Sequence, residues 1–414
     1  MSIRALNGSS LNSIDTKRLN HTMQLNTNRV LATLFLNGMV LIPGLLMVLF
    51  DGVDSNFIGV LLISTILLLL VFLTGFNKFK ISSSFLIFSV ILFLVLLLHL
   101  VICTILFQNS DNTYLKSIMS LISIIYILSA CYFSSIAIAN ITQQEFEKIV
   151  SHLFMLLIIL GLACSVFILS SSGTSKKMLF FTEPSHYALI VTIFYCYKIS
   201  QKKSNILYGI PLLFTALVIQ NLTLIVGVII AIAINFMRAK SLFAITVAIA
   251  LVYVSIIGLL NNDELSYYSQ RLDVSQESTN TSTLTLLSGY EQAYLALRDS
   301  YGLGYGLQQM GYSNERGMFA SIIGQLRGGN TDSNLYDGGL FISKIVVEFG
   351  FLGCAFFIYT IFLACIWFKN NDKKTKFFSS VLIMSIMYFL LRGSGYFTPV
   401  SYTHLRAHET AANL

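Results

Sequence analysis

The chain has 414 residues, 55% hydrophobic and only 11% charged, where a soluble domain carries charge on about a quarter of its residues. Its mean hydropathy is +0.76, and apolar runs of about 17 to 25 residues recur along it, each able to cross roughly 30 Å of hydrocarbon as a helix. A water-soluble enzyme is excluded, and the expected class is an all-α integral membrane protein. The net charge of +7 would suit a nucleic-acid partner only if the basic residues formed a patch; they follow the connections between spans instead, so nucleic acid is excluded.

Residues 1–28 are rich in Asn, Ser and Thr and read as a disordered tail. The first apolar span is too long for a cleaved signal peptide. Spans are expected at 30–50, 57–73, 83–107, 115–138, 151–170, 186–200, 206–220, 222–237, 242–260, 339–367 and 377–397, a polytopic bundle of about eleven transmembrane helices. Nine of these lie in 29–260 and two in 339–399. If the spans alternate, the basic connections fall on one side: Lys78 and Lys80, then Lys198, Lys202 and Lys203, then Arg238 and Lys240, then Lys369, Lys373, Lys374 and Lys376. The tail with Arg4, Lys17, Arg18 and Arg29 joins them. The positive-inside rule makes that side cytoplasmic, with a cytoplasmic N-terminus in an inner, multi-pass membrane setting. Asp51, Asp54 and Asp111 lie on the opposite side.

Residues 261–338 then form one large extracytoplasmic loop. It holds four arginines (Arg271, Arg298, Arg316 and Arg327), nine acidic residues and no lysine, so its cations are not there to hold topology. The six cysteines all fall within expected spans, and none is spaced as a metal site, so neither a disulfide frame nor zinc is expected. The C-terminal VSYTHLRAHET, Val400 to Thr410, resembles a translated sequencing adapter. Residues 400–414 are therefore expected to be an artefact replacing the natural C-terminus.

Ionisable groups at membrane depth are costly unless they face a cavity or a partner. Lys344 and Glu348, in FISKIVVEFG, would share one helical face, either as a self-neutralising pair between helices or as the lining of a water-filled cavity. Asp337, in NLYDGG, fits an N-cap for the span that follows. Arg392, in FLLRGSGYF, has no local partner and needs a distant acid or a bound anion. In KKMLFFTEPSHYALI, Lys176 and Lys177 lie on the outer side against the charge trend, followed by Glu183, Pro184 and His186 at the mouth of a short span. Proline fits the first turn of a helix, where its missing N–H costs nothing. That group reads as a capped helix with snorkelling lysines, or as a carboxylate among cations suited to a phosphate-bearing lipid. His99 and His152 read as packing or interfacial residues. In the loop, Leu287, Tyr290, Tyr294 and Leu297 have helical spacing and predict an amphipathic helix lying on the membrane domain. Glu291 and Arg298 share its other face. GLGYG, Gly302 to Gly306, closes that helix and is expected to turn backbone N–H groups toward a ligand.

FFTEPSHYA, LSGYEQAYLALRDSYGLGYGLQQMGY and NLYDGGLFISKIVVEFGFLG, in this order with a long loop between late spans, together resemble the Wzy-type O-antigen polymerases of the O-antigen ligase and polymerase superfamily. The resemblance covers about 170–397 and is only hydropathic before that. It implies a metal-independent glycosyltransferase without a cofactor, moving a glycan from undecaprenyl pyrophosphate onto a lipid-linked repeat unit at the outer face of the inner membrane. Membrane lipid and a chain-length regulator would be its partners. Glu183 and His186 would serve the acceptor side, Lys176 and Lys177 would supply the basic residues preceding that motif, and Arg271, Arg298 and Arg392 would hold pyrophosphate or glycan. Lys344 and Asp337 would line the site. The base stays open among Glu183, Glu291 and Glu348. Tyr290 stands where the family often has Trp, which weakens a sugar-stacking role there. A ligase of the same superfamily and a lipid-oligosaccharide flippase are the rival readings; against the flippase, no inverted repeat is visible between halves.

Overall fold

The computed structural model describes residues 26–50, 53, 55–74, 81–107, 114–170, 178–181, 183–236, 280–312, 316–329, 335–336, 338–369, 372–391 and 396. These residues are mostly helical, with turns between the helices and no strand among them beyond an isolated bridge between Met178 and Phe181. In chain order the helices are α1 (Asn26–Leu49), α2 (Asn56–Leu73), α3 (Ser83–Phe107), α4 (Tyr114–Asn140), α5 (Gln143–Ser170), α6 (Pro184–Gln201), α7 (Lys203–Val218) and α8 (Leu222–Phe236). After them come α9 (Thr281–Asp299), α10 (Met318–Leu326), α11 (Phe341–Phe368) and α12 (Lys373–Leu391). Seven of the described helices, α1 to α5, α11 and α12, are long and apolar enough to cross a membrane. The chain is thus a helical membrane protein. Of the remaining expected spans, α7 and α8 are shorter apolar helices, α6 is a buried helix of lower hydropathy, and 242–260 lies outside the described residues.

Close approach of the helices rests on small residues, as membrane packing requires. A Cβ on Gly59 would meet Pro43 Cα at 2.4 Å and one on Gly38 would meet Ile63 at 2.9 Å, which presses α2 against α1. Pro43 lies inside α1, five residues after a π-turn at Leu34–Gly38, and leaves the Met39 carbonyl without its helical donor. The centre is α6. Tyr187 through Tyr197 along it are all buried, with Gly161, Gly209 and Gly227 admitting Tyr187, Tyr195 and Thr192 respectively. Phe146, Phe194 and Tyr197 ring Phe377, tying α5 and α6 to α12. By contrast, the apolar window of α3 is only 11% buried, so most of this helix faces outward, as expected of one bathed in lipid.

Of the connections that alternation assigns to one side, 198–205 and 369–376 both reach the turn between α4 and α5, while 75–80 and 238–241 lie outside the described residues. Lys373 Nζ pairs with Glu147 Oε1 at 2.5 Å, Gln143 donates to Asp372 Oδ1 at 2.7 Å, and Lys198 donates to Ser151. Lys374 donates to the carbonyls of Ala139 and Ile141. At the other end of α4, Ser117 donates to the Leu307 carbonyl at 2.7 Å. At 1.5 Å per residue these two sets of contacts lie about 30 Å apart along α4.

The loop helix forms as expected, as α9, capped by the Asn280 side chain on the N–H groups of Ser282 and Thr283. Its packing face differs from the expected one. Leu284, Ser288, Gln292 and Ala296 are buried, while Tyr290 and Tyr294 are exposed. The reason is separation: Gly289 lies so close to Leu340 and the Gly338 carbonyl that an added Cβ would clash, an approach that a face of tyrosines would prevent. Tyr290 nevertheless donates to the Leu390 carbonyl at 2.7 Å, and the partial desolvation of its ring end raises its pKa.

Candidate functional site

The site is built where α11 breaks. Gly350 holds φ +56° and ψ −130°, a conformation open to glycine alone, and the break leaves carbonyls of the preceding turn and the Phe351 N–H without helical partners. The segment 302–306 takes them. Tyr305 N–H donates to Val347 O at 3.0 Å, Gly306 N–H to Glu348 O at 2.8 Å, and Phe351 N–H to Gly302 O at 2.8 Å. The GLGYG amides at Tyr305 and Gly306 are thus committed to a helix rather than presented to a ligand, which corrects that expectation. A Cβ on Gly304 would meet Gly350 N at 2.5 Å, so glycine is needed for contact and for its positive φ alike. The close of α9 is a Schellman turn, with Gly302 N–H on Leu297 O at 2.8 Å and Tyr301, not glycine, in the left-handed position at φ +51°.

The splice is held from the other side as well. His99 Nε2 lies 2.9 Å from Leu303 O, which makes Nε2 the protonated ring nitrogen. Cys103 donates to Gly304 O at 3.4 Å, and Gln309 Nε2 donates to Ser117 Oγ at 2.8 Å. His99 is a packing residue, as its isolation in the sequence suggested, and what it packs is this loop.

Inside the splice sit Lys344 and Glu348. Their side chains are 4% and 0% exposed and Nζ lies 2.9 Å from Oε1. Glu348 Oε2 accepts from Tyr396 Oη at 2.6 Å and from Gln308 N–H at 2.8 Å. Lys344 donates to Tyr336 O at 2.6 Å, and its ammonium lies 5.4 Å from the Tyr396 ring centroid. The ion pair, the Tyr336 carbonyl on Lys344 and the two donors on Glu348 Oε2 offset part of the desolvation that burying two charges entails, while Glu348 Oε1 makes no hydrogen bond among the described residues beyond its ion pair. The pair is enclosed by protein and does not line an open cavity.

The other expected site residues lie apart from this network. Glu291 accepts from Met318 N–H at 2.8 Å and Phe319 N–H at 3.0 Å, placing its carboxylate at the N-terminus of α10, where negative charge is favoured. Arg298 pairs with Asp299 at 2.6 Å, with 56% of its side chain exposed. Glu183 occupies the N-cap position of α6 without capping it, Pro184 is at the first turn, and Ser185 Oγ donates to Glu183 Oε2 at 3.0 Å. Glu183 and His186 are half-buried. Lys176, Lys177, Arg271, Asp337 and Arg392 lie outside the described residues.

Sequence reasoning missed Tyr396, Gln308 and Lys116. Lys116 is exposed, its ammonium 5.0 Å from the Tyr336 ring centroid and 5.5 Å from that of Tyr312, and within the electrostatic reach of Lys344 and Glu348. The signal was available: a lysine at the end of a span that the charge pattern assigns to the outer side runs against that pattern, as Lys176 and Lys177 do. No group of His, Cys, Asp and Glu among the described residues could hold a metal ion. No protein-family model, curated protein or solved structure matches the chain.

Proposed function

We propose that the chain is a Wzy-type O-antigen polymerase, transferring a growing glycan from undecaprenyl pyrophosphate to the sugar of a lipid-linked repeat unit at the outer face of the inner membrane. One observation carries this reading. Two of the segments in which the resemblance lies, separated in sequence, interlock around a buried ion pair through Gln308 N–H on Glu348 Oε2 at 2.8 Å. Such a network in a membrane protein marks a site whose geometry must be held.

In this reading the roles divide by access. Glu348, enclosed, ion-paired and holding two hydrogen bonds on Oε2, positions the loop and α11. Glu291, with both oxygens on backbone amides, anchors α10. That leaves Glu183, half-buried at the mouth of α6 with His186 one turn on, to take the proton of the acceptor hydroxyl as its oxygen attacks the anomeric carbon. The bond that breaks joins that carbon to the lipid pyrophosphate, whose departing charge is met by the outer cations, Arg271, Arg298 and Arg392 with Lys176 and Lys177.

Complementation tests the reading. In a strain lacking its own polymerase and making the matching repeat unit, the chain is expected to restore a surface-glycan ladder. Glu183→Gln, at equal protein level, is expected to cut polymer by about 10²-fold or more. A single-repeat product with well-expressed wild-type protein overturns the assignment. A ladder that needs no Glu183 overturns the base.

A further inference from the structure

The geometry points to Lys116, Tyr312 and Tyr336 as a subsite for a pyranose ring bearing an anionic group, at the mouth of the Lys344–Glu348 network. The inference rests on the reading that this face receives a glycan, and it names a chemical feature of that glycan.

Three observations meet here. The first is charge. Of the described groups that Lys116 feels, Lys344 is a cation, Glu348 an anion and Tyr336 a phenol. Glu348 is already matched by Lys344 at 2.9 Å, so the described groups of the cluster keep one positive charge in excess, and Lys116, which forms no ion pair among the described residues, is a cation open to a ligand. The second is the aromatic pair. The Tyr312 and Tyr336 rings lie 5.0 Å apart at 37°, and Tyr336 is 48% exposed, so a carbohydrate's apolar face can reach them. The third is the joint between these parts. Tyr336 gives its carbonyl to Lys344 at 2.6 Å and its ring to Lys116, so an occupant of the exposed position bears on the buried pair through a single residue.

The mode of binding follows. An ammonium lying over ring faces at an exposed position is held weakly, more weakly than by a charge-assisted hydrogen bond to an oxyanion. Lys116 has a flexible stem. When a carboxylate or phosphate arrives, the ammonium turns from the rings to the anion and uncovers the ring faces for the adjacent sugar. The anion has two sources with this chemistry: an acidic sugar of the repeat unit, or the phosphate of a glycosyl phosphate.

The test uses the full chain in nanodiscs of uncharged phosphatidylcholine, with binding measured by calorimetry. The probes are a trisaccharide ending in glucuronic acid and its glucose-ended counterpart, then glucose 1-phosphate and glucose. The expected result is a preference of about tenfold or more for the anionic member of at least one couple, weakening as salt rises. Preference in the first couple assigns the subsite to an acidic sugar; preference in the second assigns it to a glycosyl phosphate. Lys116→Gln is expected to abolish the preference and Lys116→Arg to keep it, while Tyr336→Leu weakens charged and neutral members alike. No preference in the wild-type protein, or one that Lys116→Gln retains in well-folded material, overturns the subsite. A restored ladder without anionic preference removes this inference and leaves the polymerase reading standing; anionic preference without a ladder does the reverse.

Discussion

Glu348 and Lys344 are four positions apart, and the sequence made their meeting on one helical face foreseeable; what it left open was whether water or protein surrounds them. Enclosure decides how substitutions should behave. Removing one member of a buried pair leaves the other charge desolvated, so Glu348→Ala is expected to cost about 3–5 kcal/mol. Lys344→Met combined with Glu348→Gln leaves no buried charge and keeps an acceptor for Tyr396 and Gln308, so the double variant should be more stable than either single one. Thermal unfolding in detergent checks this; a loss in the double variant equal to the sum of the two single losses would show that the two charges do not depend on each other. Glu291 gives a contrasting case. Glu291→Gln keeps one oxygen for the α10 amides and turns an NH2 toward the other, losing the charge and one hydrogen bond, about 1–3 kcal/mol in all, with the glycan ladder retained. A catalytic base at that position would show a 10² to 10⁴-fold loss of polymer instead.

Within the elements, periodicity found the helices and failed on what depends on partners. The bounds expected for 83–107 match α3, because twenty-odd consecutive apolar residues admit few other solutions in a membrane. The docked face of α9 was misread, since Tyr290 and Tyr294 form the more conspicuous apolar stripe, yet close packing on α11 favours Gly289 and Ala296. GLGYG was legible as a glycine turn but not as a splice, because its acceptors, Val347 and Glu348, become available only through the break at Gly350. That break makes a sharp prediction. A Cβ at Gly350 would lie 2.0 Å from Gly302 O, and the backbone there is closed to alanine at a strain of about 1–3 kcal/mol. Gly350→Ala should therefore straighten α11 and release the loop, raising amide exchange at Tyr305, Gly306 and Gln308 by about tenfold or more. Mass-spectrometric hydrogen exchange measures it, with Leu284 to Gln292 in α9 as the internal control. Unchanged protection at Tyr305 and Gly306 would mean that the splice does not depend on the break.

At the scale of the whole molecule, the legible feature was parity. The charge pattern placed the connections 198–205 and 369–376 on one side, and Lys198, Asp372, Lys373 and Lys374 do meet the same turn between α4 and α5 at one end of the bundle. The joining of α9, α10 and the 302–309 segment to the far ends of α3, α4 and α11 was not legible, because single hydrogen bonds such as Ser117 to Leu307 O leave no trace in composition. The bilayer's orientation about these ends can be tested independently of any activity. In a cysteine-free variant, single cysteines at Gln143, Lys203 and Lys369 are expected to be shielded from a membrane-impermeant maleimide in intact cells and to react after the membrane is opened. Cysteines at Tyr301, Ser321 and Tyr336 are expected to react in intact cells. Labelling in the opposite sense would put the Lys116 and Glu183 regions in the cytosol, where an undecaprenyl-linked glycan awaiting polymerisation would be out of reach, and the proposed function would fall with the topology. Mixed labelling within either set would break the parity itself, because residues joined by the contacts at one end of α4 cannot lie on both sides of a bilayer about 30 Å thick.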